Sequence, residues 1–198
     1  MRYSFFALIS RMKNITRWSL MRNSAVENIQ EHSHMVAVIA HALAVIRRDV
    51  FGKTVNPGDI AAAALFHDAS EIFTGDMPTP IKYFDPEIMS AYKRVESLAS
   101  QKLLSSLPEK MRGAYLPLLS DDNNDDAEAL ALIKAADKLA AYIKCLEELN
   151  AGNSEFRAAA NQSREKLMVL EMPEVDYFIE NFIEAFRLTL DEIDFSFE

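Results

Sequence analysis

Residues 56–68 read Asn56-Pro57-Gly58-Asp59-Ile60-Ala61-Ala62-Ala63-Ala64-Leu65-Phe66-His67-Asp68. Asparagine is a strong helix-capping residue, and a proline at the first helical position gives up only an N–H that has no intrahelical acceptor. A helix is therefore expected to begin at Pro57. The run after Ile60 is nearly all apolar until its last two residues. A helix that lacks a polar face belongs inside a core, so this one is expected to be central and to deliver His67 and Asp68 at its C-terminal end.

Working outward, Val36, Ile39, Leu43 and Ile46 recur at three- and four-residue spacing, which predicts a helix over about 29–48, broken by Gly52. A short helix near 3–13 precedes a polar segment, 14–28, that holds Arg17, Trp18 and Arg22. Downstream, 74–80 is a turn-rich loop, and Asp85-Pro86-Glu87 opens a long helix by the same cap-plus-proline logic. Pro108 and Pro117 punctuate the chain beyond it, and the acidic stretch 120–126 has the composition of a loop. An amphipathic helix is expected over about 127–149, with Leu130, Ile133, Ala140 and Leu146 on its apolar side and Gly152 past its end. Helices over about 154–171 and 173–193 close the chain. No alternating β-branched run bounded by turn dipeptides occurs. The reading is all-α: about seven helices in a single globular domain, 1–198.

Thirty acidic against 21 basic residues give a formal net charge of −9, which excludes a broad basic surface for a nucleic-acid polymer. An anionic ligand then needs a local pocket of cations. The one cysteine, Cys145, sits in a helical, Leu/Ala-rich stretch, which suits a reducing compartment and a packing role. The apolar run Phe5 to Ile9 is followed by Arg11 and Lys13 without a cleavage-site pattern, and Met35 to Ile46 is interrupted by His41 and short for a bilayer. A soluble cytoplasmic protein without a membrane partner is expected.

Buried ionisable groups are costly unless they are paired or bind a metal, so the informative positions are polar residues on apolar faces. There are three such places. His32 shares a stripe with Val36, Ile39 and Leu43; His67-Asp68 ends the alanine-rich helix; Asp137 has Leu130, Ile133 and Ala141 as helical-face neighbours. Each has a bland reading by itself: a hydrogen-bonded core histidine, a chance dipeptide, an aspartate solvated beside Lys138. Together they offer two imidazoles and two carboxylates from three helices. That set suits one divalent transition-metal ion with positions left for water, whereas calcium prefers more oxygens and structural zinc prefers cysteine. His34 and His41, seven residues apart, share a stripe with Val38 and Val45 and read as packing or interface residues.

The order His32, His67-Asp68, Asp137 resembles the HD-domain superfamily of metal-dependent phosphohydrolases. Ser10-Arg11, Arg17-Trp18, Leu20-Met21-Arg22-Asn23, Glu27-Asn28, Glu31-His32-Ser33 and His67-Asp68-Ala69-Ser70-Glu71 narrow the match. So do Thr74-Gly75-Asp76-Met77-Pro78-Thr79-Pro80, Lys134-Ala135-Ala136-Asp137 and the stretch Tyr142 to Leu149. Along nearly its whole length the chain is similar to the bacterial 5′-deoxynucleotidases of that superfamily, with His34 a departure from their pattern.

The resemblance implies a mostly helical homodimer that hydrolyses deoxyribonucleoside 5′-monophosphates and disfavours ribonucleotides and 3′-monophosphates. It implies one ion per chain, Co²⁺, Mn²⁺ or similar, on His32, His67, Asp68 and Asp137. Such an ion lowers the pKa of bound water from about 15.7 toward 7. Arg17 then reads as the phosphate clamp, since a guanidinium presents parallel donors to two oxygens. Trp18 reads as a flat wall against the sugar or base that crowds out a 2′-hydroxyl. Glu71, three residues beyond Asp68, is placed to protonate the departing 5′-oxygen or to orient water. Asp76 is expected at the sugar hydroxyl or assisting in-line attack, with Met77, Pro78 and Thr79 completing the wall and His32 also facing substrate. Competing expectations are an HD phosphohydrolase of cyclic or polyphosphorylated nucleotides and a non-catalytic helical module with a structural ion.

Overall fold

A computed structural model describes residues 2–82, 84–119 and 127–193, apart from the side chain of Thr79. The acidic stretch 120–126 lies outside the described residues. Among those described there is no strand, only an isolated antiparallel bridge between Thr16 and Asn28. The helices are α1 (Phe5–Ile9), α2 (Ile29–Val45), α3 (Pro57–Ala64), α4 (Glu71–Thr74), α5 (Thr79–Lys82), α6 (Pro86–Ser105), α7 (Glu109–Tyr115), α8 (Ala127–Asn150), α9 (Arg157–Met168) and α10 (Pro173–Phe182). With the single turns α1, α4 and α5 set aside, the number agrees with the expected architecture.

The centre is a layer of α2, α3 and α8, with α9 packed on the other side of α8. Ala40, Ala64, Ala135 and Ala136 are fully buried where these helices meet, among Val36, Leu43, Leu132 and Leu139. Alanine brings helix axes close together at little side-chain entropy cost, so the alanine-rich α3 is central as its composition requires. The Asn56 side chain accepts from the Gly58 N–H at 3.0 Å, and Pro57 occupies the first turn. Asp85 caps α6 in the same way through the Glu87 N–H at 2.7 Å.

α2 runs on through a π-helical turn, Ile46–Val50. The continuous stretch of 22 residues is apolar enough to cross a membrane by length and composition, yet 56% of its most apolar window is buried inside the fold. At the end of α2, the buried Arg47 pairs with Glu128 of α8 at 2.6 Å and faces the buried Glu174 of α10 at 3.6 Å. A second, smaller core joins Phe5 of α1, Leu103 of α6, Leu107 and Leu119 to Ala69. It clamps the turn that carries His67 and Asp68.

Three details differ from the sequence reading. α3 ends at Ala64, so His67 and Asp68 stand on a turn after the helix rather than on its last residues. The loop expected over 74–80 contains the start of the one-turn α5. The terminal helix expected over 173–193 stops at Phe182 and breaks into 3₁₀ turns, Ile183–Arg187 and Leu190–Glu192. Ile183 and Phe186 still pack on the main core, but Leu188 and Leu190 are exposed, so the end of this segment lacks the tertiary packing that holds most helices together.

Candidate active site

Asn28 starts α2 by accepting hydrogen bonds from the N–H groups of Gln30 and Glu31, at 3.1 and 3.0 Å. That fixes the first turn, on whose inner face His32 is completely buried. Its Nε2 lies 3.0 Å from Asp137 Oδ1 and 3.7 Å from Asp68 Oδ2. Across from it, His67 Nδ1 is 2.8 Å from the Ala64 carbonyl. A carbonyl can only accept, so Nδ1 carries a proton and Nε2 is the nitrogen left to face an ion, the orientation typical of metal-ligating histidines. The early end of α3 thus has a use, since its freed carbonyl sets the imidazole.

Ligand atoms of His32, His67 and Asp68 lie within 4.8 Å of one another. Asp137 joins them through its bond to His32. His67 Nε2, 3.1 Å from Asp68 Oδ2, is buried without a hydrogen-bond partner, as an atom awaiting a ligand would be. Two imidazole nitrogens and two carboxylates at this spacing fit a divalent transition metal by donor chemistry and by the orphaned nitrogen. His34 and His41 are exposed on the far face of α2, with Val38 between them, and belong to no such cluster among the described residues.

Around this group the charges are arranged unequally. Burial disfavours the Arg17 guanidinium, but Asp68, Asp137, Glu27 and Asp76 outweigh it and hold Arg17 above its ordinary value. Arg17 Nη1 sits 3.3 Å from Asp68 Oδ2. Burial and then the charges of Asp68 and Asp76 push the Glu71 carboxyl well above the usual carboxylate range. Its Oε2 is buried without a hydrogen-bond partner. Glu71 opens α4, and its N–H bonds the Asp68 carbonyl at 3.0 Å, which brings the two side chains to one side as expected. Asp76 is half-buried and also raised, by burial first, although Arg17 and a hydrogen bond from the Trp18 backbone oppose the shift. Gly75, at φ +72, makes the turn that presents Asp76. Its carbonyl accepts from the Tyr92 hydroxyl of α6 at 3.3 Å.

A cleft of about 930 Å³ lies in front of these groups, lined by Arg17, Trp18, Asp76, Met77, Pro78 and Asp137 on one side and by Gln162 and Ser163 of α9 on the other. That volume suits a nucleotide-sized ligand. His32 and Glu71 are buried behind the lining, with His67 partly buried beside them, and Asp137, 42% exposed at its side chain, connects them to it. Of the wall residues expected from sequence, Met77 and Pro78 are in place, while the Thr79 side chain lies outside the described residues.

The α9 side of the cleft was not foreseen, because Gln162 and Ser163 read as ordinary polar helix-surface residues. Nor was the anchor of the Arg17–Trp18 segment. Buried Glu148 of α8 accepts from the N–H groups of Ser24 and Ala25, at 2.8 and 3.2 Å, from Asn153 Nδ2 at 2.8 Å, and from Lys144. The signal was available: Lys144 and Glu148 stand four apart on the buried side of a helix.

The family of YfbR-like 5′-deoxynucleotidases matches residues 4–186. The chain belongs to that family. The YfbR-like chain is 50% identical over 189 residues to a 5′-deoxynucleotidase of Erwinia tasmaniensis, covering 96% of this chain and 95% of the relative. It is 52% identical over 191 residues to one of Photobacterium profundum, covering 96% and 97%. Among solved structures it resembles an HD-domain phosphohydrolase of Listeria innocua, with TM-score 0.78 and 26% identity over 92% of this chain and 88% of the other. A cyanophage S-2L HD phosphohydrolase bound to dA and one catalytic Zn²⁺ ion shares the fold, with TM-score 0.62 and 20% identity over 93% and 99%. The YfbR-like chain therefore has the all-α HD-domain fold, as its sequence led one to expect.

Proposed function

We propose that the chain, as a single domain, hydrolyses deoxyribonucleoside 5′-monophosphates to deoxyribonucleosides and phosphate. His32, His67, Asp68 and Asp137 would hold one divalent transition-metal ion. The observation that carries the reading is an arginine beside a metal-type donor cluster at the head of a nucleotide-sized cleft: Arg17 Nη1 is 3.3 Å from Asp68, whose oxygen also faces the unpartnered His67 Nε2. The names of relatives about 50% identical over nearly the whole chain support it.

When bound, a divalent ion supplies positive charge to a phosphoryl oxygen and acidifies a water. The chain's own residues do the rest. Arg17 grips the phosphate and stabilises the charge that builds on its oxygens. Glu71, which burial keeps protonated, donates to the 5′-oxygen as the P–O bond breaks and the bond from water to phosphorus forms. The proton of the attacking water passes to a carboxylate, for which Asp76 on the adjoining loop is suited. Trp18 lies at the cleft with its ring 5.3 Å from the buried Phe156, so it cannot readily yield to a 2′-hydroxyl. Discrimination against ribonucleotides rests on that rigidity, and preference for the 5′ over the 3′ ester on the distance from this wall to the clamp.

Co²⁺ or Mn²⁺ as the ion, a homodimer and a cytoplasmic setting complete the proposal. Imidazole–carboxylate donors and a buried, unreactive Cys145, whose thiol burial pushes up to about 12, are consistent with it. The test is phosphate release from ribo- and deoxyribonucleoside 5′- and 3′-monophosphates with each of several divalent metals. Release from deoxynucleoside 5′-monophosphates far above the others supports the proposal. Equal rates on dAMP and AMP would remove the sugar preference, and pyrophosphate release from triphosphates would point to a different phosphohydrolase.

A further inference from the structure

Glu27 has no part in the metal cluster, yet its carboxylate binds both Arg17 and Trp18 at the edge of the site. Its Oε2 accepts from Arg17 Nε at 3.1 Å and from Trp18 Nε1 at 3.0 Å, so one oxygen holds both the guanidinium and the indole. The backbone brings them together. Arg17 N–H bonds the Glu27 carbonyl at 2.9 Å and Ile29 N–H bonds the Ile15 carbonyl at 2.9 Å, on either side of the Thr16–Asn28 bridge. Residues ten apart in sequence thereby stand side by side, as in a short hairpin.

Trp18 has φ +58, a left-handed conformation that a bulky residue adopts only where its surroundings enforce it. Here the carbonyl of Trp18 takes Met21 N–H at 2.9 Å and Asn23 Nδ2 at 3.3 Å, and the far end of the side chain is tied to Glu27. Glu27 Oε1 is 3.9 Å from His32 Nδ1, too far for a hydrogen bond.

We propose that Glu27 is a positioning residue that locks Arg17 and Trp18 into one unit, fixing the distance between the phosphate clamp and the sugar wall. The proposal rests on the roles given to Arg17 and Trp18 under the proposed function. Loss of the carboxylate then weakens substrate binding and sugar discrimination together, without loss of the metal.

Trp18 is the only tryptophan, so its fluorescence reports on this contact directly. The full chain, wild type, Glu27→Gln and Glu27→Ala, is compared by tryptophan emission and anisotropy, by bound metal per chain, and by KM and kcat on dAMP and AMP. For Glu27→Ala the expected results are a shifted emission maximum with lower anisotropy, a KM for dAMP at least tenfold higher, and a smaller dAMP-to-AMP ratio of kcat/KM, with metal content unchanged. Glu27→Gln keeps a carbonyl acceptor of the same reach and should recover part of each effect; it also carries the test if the alanine chain does not fold. Unchanged emission and KM would overturn the proposal, as would a rise in KM that only accompanies loss of the ion. If the wild type releases no phosphate from dAMP, the functional reading fails on its own. Emission and its titration with inorganic phosphate then decide the role of Glu27: weaker phosphate binding by the variants supports it and equal binding overturns it.

Discussion

A buried carboxyl with an unpartnered oxygen is the residue on which the proposed chemistry turns. Glu71 is 8% exposed and raised by burial and by its acidic neighbours, which is the state a general acid needs at neutral pH. Glu71→Gln should lower kcat by about 10²–10⁴-fold, the usual worth of a positioned proton donor. Bound metal per chain, measured by elemental analysis, should stay the same. His67→Ala and Asp137→Ala should instead lose the ion and the activity together, and a variant that kept its metal but lost turnover would take that residue out of the ligand set. Sequence made His32, His67-Asp68 and Asp137 visible because they interrupt apolar patterns, and Glu71 visible through its place three residues beyond Asp68. It could not give the protonation state of Glu71, which comes first from its burial and then from Asp68 and Asp76 converging on it.

The segment that carries Arg17 and Trp18 is not a helix, and its order comes from α8. Glu148, 1% exposed, supplies acceptor oxygens to the N–H groups of Ser24 and Ala25, while Lys144 donates to the Ala25 carbonyl at 2.7 Å. Burial raises the Glu148 pKa, but the bonds from Lys144, Ser24, Asn153 and Ala25 overcome it and lower the value from 4.5 to about 2. A carboxylate whose folded pKa is depressed contributes stability above its unfolded value and loses it as the pH falls. Stability measured by urea unfolding should thus decline as pH drops from 4.5 toward about 2. Glu148→Gln should abolish this group's contribution to the acid limb. At neutral pH it should cost about 3 kcal/mol, because Lys144 is left buried without its counter-charge. A variant as stable as the wild type would show that water or another group replaces the carboxylate. Capping is a smaller matter: Asn56→Ala should cost about 1 kcal/mol in the same measurement.

At the scale of the whole molecule, three elements far apart in sequence meet at a metal-type cluster, so an ion bound there would link binding to folding. A divalent ion at a hundred times its dissociation constant should stabilise the fold by about 2.7 kcal/mol, a rise in Tm of about 5–10 °C for a chain of this size. Calorimetry with added metal, then with chelator, tests this; an unchanged Tm would mean that the cluster binds no ion under those conditions. The sequence by itself pointed to most of the helices, to the caps at Asn56 and Asp85 and to the four polar residues proposed as donors, because periodicity, proline and buried polar groups are local signals. It placed His67 and Asp68 on the wrong side of a helix end, since where α3 stops depends on the second core that grips Ala69. Only the tertiary structure brought Glu27 beside Arg17, put α9 across the cleft and turned Lys144 and Glu148 toward a loop more than a hundred residues away. Those contacts join segments distant in sequence, and the four-residue spacing of Lys144 and Glu148 marks the pair without naming the loop it holds.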